Sequence, residues 1–168
     1  TYKAGNNTVI EFSYSGTLKI VRWSINASGW ITMSYEYNLE GEKPYTGVSF
    51  NYPENYVLGA KWVGKGPSRQ RQNRMAGTSI RVWQNLYNNS HTGYPPIQYP
   101  EFKGYFGEIV WMELSTVQGK FYVATQERGL FVRLFDFYGL SSDNKPHPEL
   151  PAGNISFLDF IPSPLKKE

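Results

Sequence analysis

From Ile31 to Leu39 apolar and polar side chains alternate without a break: Ile31, Met33, Tyr35, Tyr37 and Leu39 against Thr32, Ser34, Glu36 and Asn38. A period of two sends successive side chains to opposite faces of an extended chain, so this segment must be a strand with one face covered. Further strands are expected at Val9 to Tyr14, Leu18 to Trp23, Val57 to Trp62, Ser79 to Gln84, Glu108 to Leu114, Lys120 to Thr125, Leu130 to Phe137 and Ile155 to Phe160. Ser15-Gly16, Gln118-Gly119 and Glu127-Arg128-Gly129 read as turns between them, and the stretch from 108 to 137 reads as a three-stranded antiparallel meander. No segment carries a 3.6-residue apolar stripe, so helix is expected only as one short turn near Arg69 to Ala76. Strands spaced by about 8 to 14 residues, with Gly, Pro and Asn between them, predict an all-β fold, an antiparallel β-sandwich.

The chain has 168 residues, enough for one domain with a sizeable core, and it is expected to form a single sandwich domain over residues 1–168. Aromatic residues make up 17% of it. Their rings pack well on pleated surfaces, and they can also stack on sugar rings. The net charge of +3 is too small to point to nucleic acid. Cysteine is absent, which removes disulfides, thiolate zinc sites and a cysteine nucleophile. No apolar run reaches the roughly 18 residues of a membrane helix, so no membrane partner is expected. The chain runs from Thr1 to Lys166-Lys167-Glu168 and reads as a segment of a larger polypeptide, whose compartment, periplasmic or cytoplasmic, stays open.

The basic residues gather locally, in Lys61-Trp-Val-Gly-Lys-Gly-Pro-Ser-Arg-Gln-Arg-Gln-Asn-Arg74. Gly64 and Gly66 free the backbone to turn or to approach another surface. Pro67 fixes one φ angle and ends strand pairing. Arg69, Arg71 and Arg74 then place three guanidinium forks among Gln70, Gln72 and Asn73. Trp62, Lys65, Arg69, Arg71, Asn73 and Arg74 are the candidate site residues. They can dock on another domain through arginine–carboxylate forks, line a sugar cleft with Trp62 as platform, or form a solvated loop.

This run resembles the Trp-x-Gly-Lys/Arg-Gly-Pro signature in the C-terminal β-sandwich domain of bacterial family 2 glycoside hydrolases, the β-galactosidase type. The similarity lies at Trp62, Gly64, Lys65, Gly66, Pro67, Arg69, Asn73 and Arg74. Ser68 and Arg71 stand where the family often has aromatics, so no stacking role carries over to them. Ser28-Gly-Trp-Ile-Thr-Met-Ser-Tyr-Glu-Tyr37 is similar to a second family segment, with Ser28 in place of an acid. Val48-Ser-Phe-Asn-Tyr-Pro-Glu54, Tyr99-Pro-Glu-Phe-Lys-Gly-Tyr105 and Leu150-Pro-Ala-Gly-Asn-Ile-Ser-Phe-Leu-Asp-Phe160 follow in the family's order. The resemblance implies part of a galactose-mutarotase-like supersandwich. It also implies a non-catalytic role beside a barrel that cleaves terminal β-galactosides. The implied partners are that barrel and the parent's other domains, with carbohydrate and a second copy of the chain as further candidates. No cofactor is implied.

The chemistry of the residues agrees with a non-catalytic segment. Retaining glycosidases set two carboxylates on either side of the scissile bond. No Asn-Glu pair occurs here in the family's acid/base context, and helices do not alternate with strands as a barrel requires. Glu54, Glu101, Glu113 and Glu127 are expected at the surface or in ion pairs. A stand-alone epimerase would need His91 or His147 opposite a carboxylate, and each is a lone histidine in a loop. No Walker or nucleophile-elbow spacing is present. A sugar-binding module would expose an aromatic such as Trp30, Trp83 or Trp111 on one face.

Overall fold

A computed structural model describes residues 1–70, 76–90, 96–127, 129–137 and 150–161. The chain falls into two compact units, Thr1–Glu42 and Lys43–Glu168. Every sheet is antiparallel, and among the described residues the only helical element is a 3-10 turn at Glu54–Tyr56. The expected turn near Arg69 does not form where it is described: Gln70 makes a β-bridge to Tyr105 instead.

The first unit is a four-stranded sheet in chain order, β1 (Tyr2–Ala4), β2 (Asn7–Ser13), β3 (Leu18–Ile25) and β4 (Ile31–Tyr37). Between β3 and β4 the Asn26 carboxamide oxygen accepts the N–H groups of Ser28 and Trp30 and the Ser28 hydroxyl. An Asx turn of this kind replaces the ladder bonds lost at a reversal. Strand register sorts the side chains into two faces. Ile10 lies opposite Trp23, which lies opposite Met33, and Phe12, Val21 and Tyr35 form the next row. On the other face Arg22 lies opposite Glu11, and its Nε donates to that carboxylate at 2.6 Å.

The second unit is a β-sandwich of two four-stranded sheets. One runs in the order β10 (Gly119–Ala124), β9 (Trp111–Thr116), β6 (Val57–Gly66), β7 (Ser79–Leu86). The other runs β5 (Thr46–Phe50), β12 (Ile155–Phe160), β11 (Phe131–Leu134), β8 (Gly104–Phe106). The main core joins Trp62, Met112 and Leu114 of the first sheet to Phe106, Val132, Leu134 and Ile155 of the second. Each such side chain taken from water stabilises the fold by about 1.5 to 3 kcal/mol. A second cluster of Tyr105, Phe137, Leu158 and Ile161 covers the other face of β8 and β12. β8 and β11 are therefore covered on both faces, while β5 stays largely exposed, and this is why Leu130 to Phe137 reads as a near-continuous apolar run.

The expected meander from 108 to 137 is corrected here. β9 and β10 pair as a hairpin, but β11 leaves that sheet to lie between β8 and β12. Arg133 turns its side chain to the second face and is fully buried there. Its guanidinium donates to the Ser156 hydroxyl at 3.1 Å, the Asp136 carboxylate at 2.8 Å and the carbonyls of Pro151 and Gly153.

Candidate functional site

The basic run from Lys61 begins inside a strand, since β6 extends through Gly66. Its glycines are there for close packing. A Cβ on Gly64 would stand 2.9 Å from the Gly107 carbonyl oxygen, and one on Gly66 would stand 2.6 Å from the Trp83 ring. Trp83 Nε1 donates to the Gly64 carbonyl at 3.1 Å, so the indole seals the strand end. Trp62 points into the core at 2% exposure, its ring 4.8 Å from that of Phe106 and its Nε1 donating to the Lys65 carbonyl. The Trp62 ring accordingly offers no outward platform. Lys65 lies half-buried, 3.9 Å from the Glu108 carboxylate.

Past Pro67 the chain zips onto the segment around 99–105. The Ser68 and Tyr99 hydroxyl oxygens are 2.5 Å apart. Buried Arg69 sets its Nε 3.0 Å from the Glu101 carboxylate, and its guanidinium lies 5.2 Å from the centre of the Phe137 ring. The Gln70 N–H donates to the Tyr105 carbonyl at 2.7 Å, and its side chain donates to Thr78. Gly104 makes room for this arrangement: its φ is +134°, and a Cβ there would stand 2.7 Å from Arg69 Cδ. Arg69 thus sits in an internal ion pair. Arg71, Asn73 and Arg74 lie outside the described residues, as do His91 and His147.

The facing segment is itself densely bonded. The side-chain amides of Asn85 and Asn88 both donate to the Pro100 carbonyl, at 2.9 and 3.1 Å. Asn88 Oδ1 accepts the N–H groups of Ser90 and Phe102. The Ser90 hydroxyl accepts the Gln98 N–H at 2.6 Å. One step further, the buried Lys103 ammonium lies 2.5 Å from the Glu54 carboxylate, which also accepts the Tyr87 hydroxyl at 2.7 Å. Burial, reinforced by that bond to Glu54, pushes the Tyr87 phenol well above the ordinary tyrosine range.

The carboxylates follow the expectation for Glu54, Glu101, Glu113 and Glu127. Glu54 pairs with Lys103, Glu101 with Arg69 and Glu113 with Lys120, while Glu127 is exposed. Among the described residues no group of three or more His, Asp or Glu could hold a metal ion. Of the tryptophans named as sugar platforms, Trp83 and Trp111 are half-buried and Trp30 is exposed. Sequence reasoning missed Tyr99 as an exposed aromatic. At 77% exposure it is the most open large apolar side chain among the described residues. The available signal was a tyrosine before Pro100 in a loop rich in Asn and Pro, where an apolar side chain has no periodic face to join.

No protein-family model matches this chain, and no curated protein is significantly similar to it.

Proposed function

We propose that this chain is a non-catalytic β-sandwich domain of a β-galactosidase-like family 2 glycoside hydrolase. It buttresses a catalytic barrel that cleaves terminal β-galactosides and shapes the entrance to the barrel's site. One observation carries the reading: the family-like segments of the second unit are bonded to one another in series. Tyr52 and Asn154 exchange two hydrogen bonds, N–H to Oδ1 at 2.9 Å and Nδ2 to carbonyl at 2.7 Å. Glu54 then binds Lys103, and Glu101 binds Arg69. The segments at 48–54, 61–70, 99–105 and 150–160 are therefore joined through their own polar groups. Residues used in this way hold a scaffold in shape, and an arginine–carboxylate pair of this burial is a positioning device more than a reactive one. The carboxylates in this series already face cations, and none of them is left to act as acid or nucleophile.

The test is hydrolysis of nitrophenyl β-galactoside by the purified chain. No turnover above buffer is expected. Turnover that co-purifies with the chain would overturn the reading, because it would place the catalytic carboxylates here. In the parent polypeptide a barrel with two carboxylates about 5 Å apart is expected.

A further inference from the structure

We propose that Tyr99, tethered by Ser68, is a stacking platform for a neutral pyranose. The choice of a galactoside as the sugar rests on the function proposed above, but the platform itself rests on geometry. An aromatic ring left 77% exposed forfeits the burial that usually holds such a side chain in place. Here the ring is held by other means. Its hydroxyl is bonded to Ser68 at 2.5 Å. The preceding Gln98 N–H is bonded to Ser90, and the following Pro100 carbonyl to Asn85 and Asn88. Glu101 is fixed by the buried Arg69. A loop with this many internal bonds presents a rigid ring to solvent, and rigidity of the free state lowers the entropy lost on binding.

The surroundings select the ligand class. A ring face with hydroxyls at its edge matches a pyranose, whose C–H groups lie on one face and whose hydroxyls lie around the rim. The Ser68–Tyr99 pair uses one of its two O–H donors internally, leaving one donor and several lone pairs for sugar hydroxyls. The charges next to Ser68 and Tyr99 in the chain compensate each other, with Arg69 and Glu101 side chains only 6% and 17% exposed. A phosphate or carboxylate ligand would find no uncompensated cation in that pair, so a neutral sugar is the better fit.

The experiment titrates the full chain with methyl β-galactopyranoside, followed by saturation-transfer NMR and calorimetry. Saturable binding in the millimolar range is expected, about tenfold weaker or lost in Tyr99→Ala and retained in Tyr99→Trp. Ser68→Ala keeps the ring but releases the tether, and is expected to weaken binding a few-fold. Circular dichroism checks that each variant folds. Inorganic phosphate is expected not to compete. Absence of saturation in the unaltered chain, affinity unchanged by Tyr99→Ala, or displacement by phosphate would each overturn the platform. So would concentration-dependent self-association that Tyr99→Ala abolishes, since it would assign the ring to a second copy of the chain. Turnover of the nitrophenyl galactoside bears on the proposed function alone and leaves the platform result intact.

Discussion

Arg133 has no exposed surface, and two of the groups it satisfies are backbone carbonyls, those of Pro151 and Gly153. Removing the guanidinium would take this donor from a buried carbonyl, that of Pro151, and a partly buried one, that of Gly153, while Asp136, at 69% exposure, could turn to water. Arg133→Met is therefore expected to cost about 3 kcal/mol, read as a lower urea midpoint at unchanged slope. Gly47 makes a complementary case. Its φ is +146°, and a Cβ would stand 2.0 Å from the Phe157 carbonyl oxygen. Gly47→Ala is expected to cost about 3 kcal/mol or more by forcing β5 off β12, checked by the same denaturation. Neither residue was singled out from sequence. Arg133 sits in a run that reads simply as a strand, and Gly47 falls outside every strand expected from the sequence. The Arg69–Glu101 pair was hidden for a related reason. Its partners are far apart in the chain, and composition shows the cation without showing what neutralises it.

At the scale of elements, period-two alternation located most strands within a few residues, and β12 coincides with its expected span. β1, β5 and β8 were missed. They are three, five and three residues long, too short for alternation to register. β11 was placed in the wrong sheet because a short gap after β10 favours a hairpin, whereas burial of both its faces draws it into the second sheet. The β9–β10 hairpin also carries a titratable pair. The bond from Lys120, at 2.9 Å, holds the Glu113 carboxyl below its ordinary range, with smaller help from Tyr122 and Ser115. A depressed carboxylate contributes stability at neutral pH, and that contribution fades as pH falls through the folded-state value. Lys120→Gln is expected to raise the Glu113 midpoint toward that of a free glutamate, measured by carboxyl-carbon NMR titration. An unchanged midpoint would mean that the lysine is not the main cause.

Across the whole molecule the all-β sandwich was legible, because alternation, aromatic content and turn residues agree. The division after Glu42 was not drawn from sequence, although Glu40-Gly-Glu-Lys-Pro44 is a charged stretch with Gly and Pro of the kind that separates packed units. The two units differ in how much they bury. Within Thr1–Glu42 only Val9 and Val21 are buried apolar side chains, and the rest of the sheet is half-buried or exposed. Within the second unit Trp62, Phe106, Met112, Leu114, Val132 and Leu134 are all at most 2% exposed. Backbone hydrogen bonds open locally in proportion to how little apolar surface must be exposed with them. Amides of β2, β3 and β4 are therefore expected to exchange with deuterium through low-energy openings. Those of β6, β9 and β11 are expected to exchange only near the global unfolding limit, typically about 5 to 15 kcal/mol. Mass-resolved exchange on the full chain measures both sets at once. Equal protection of the two would mean that the first unit opens only when the sandwich does, and so that its stability is set by the second unit and not by its own sheet.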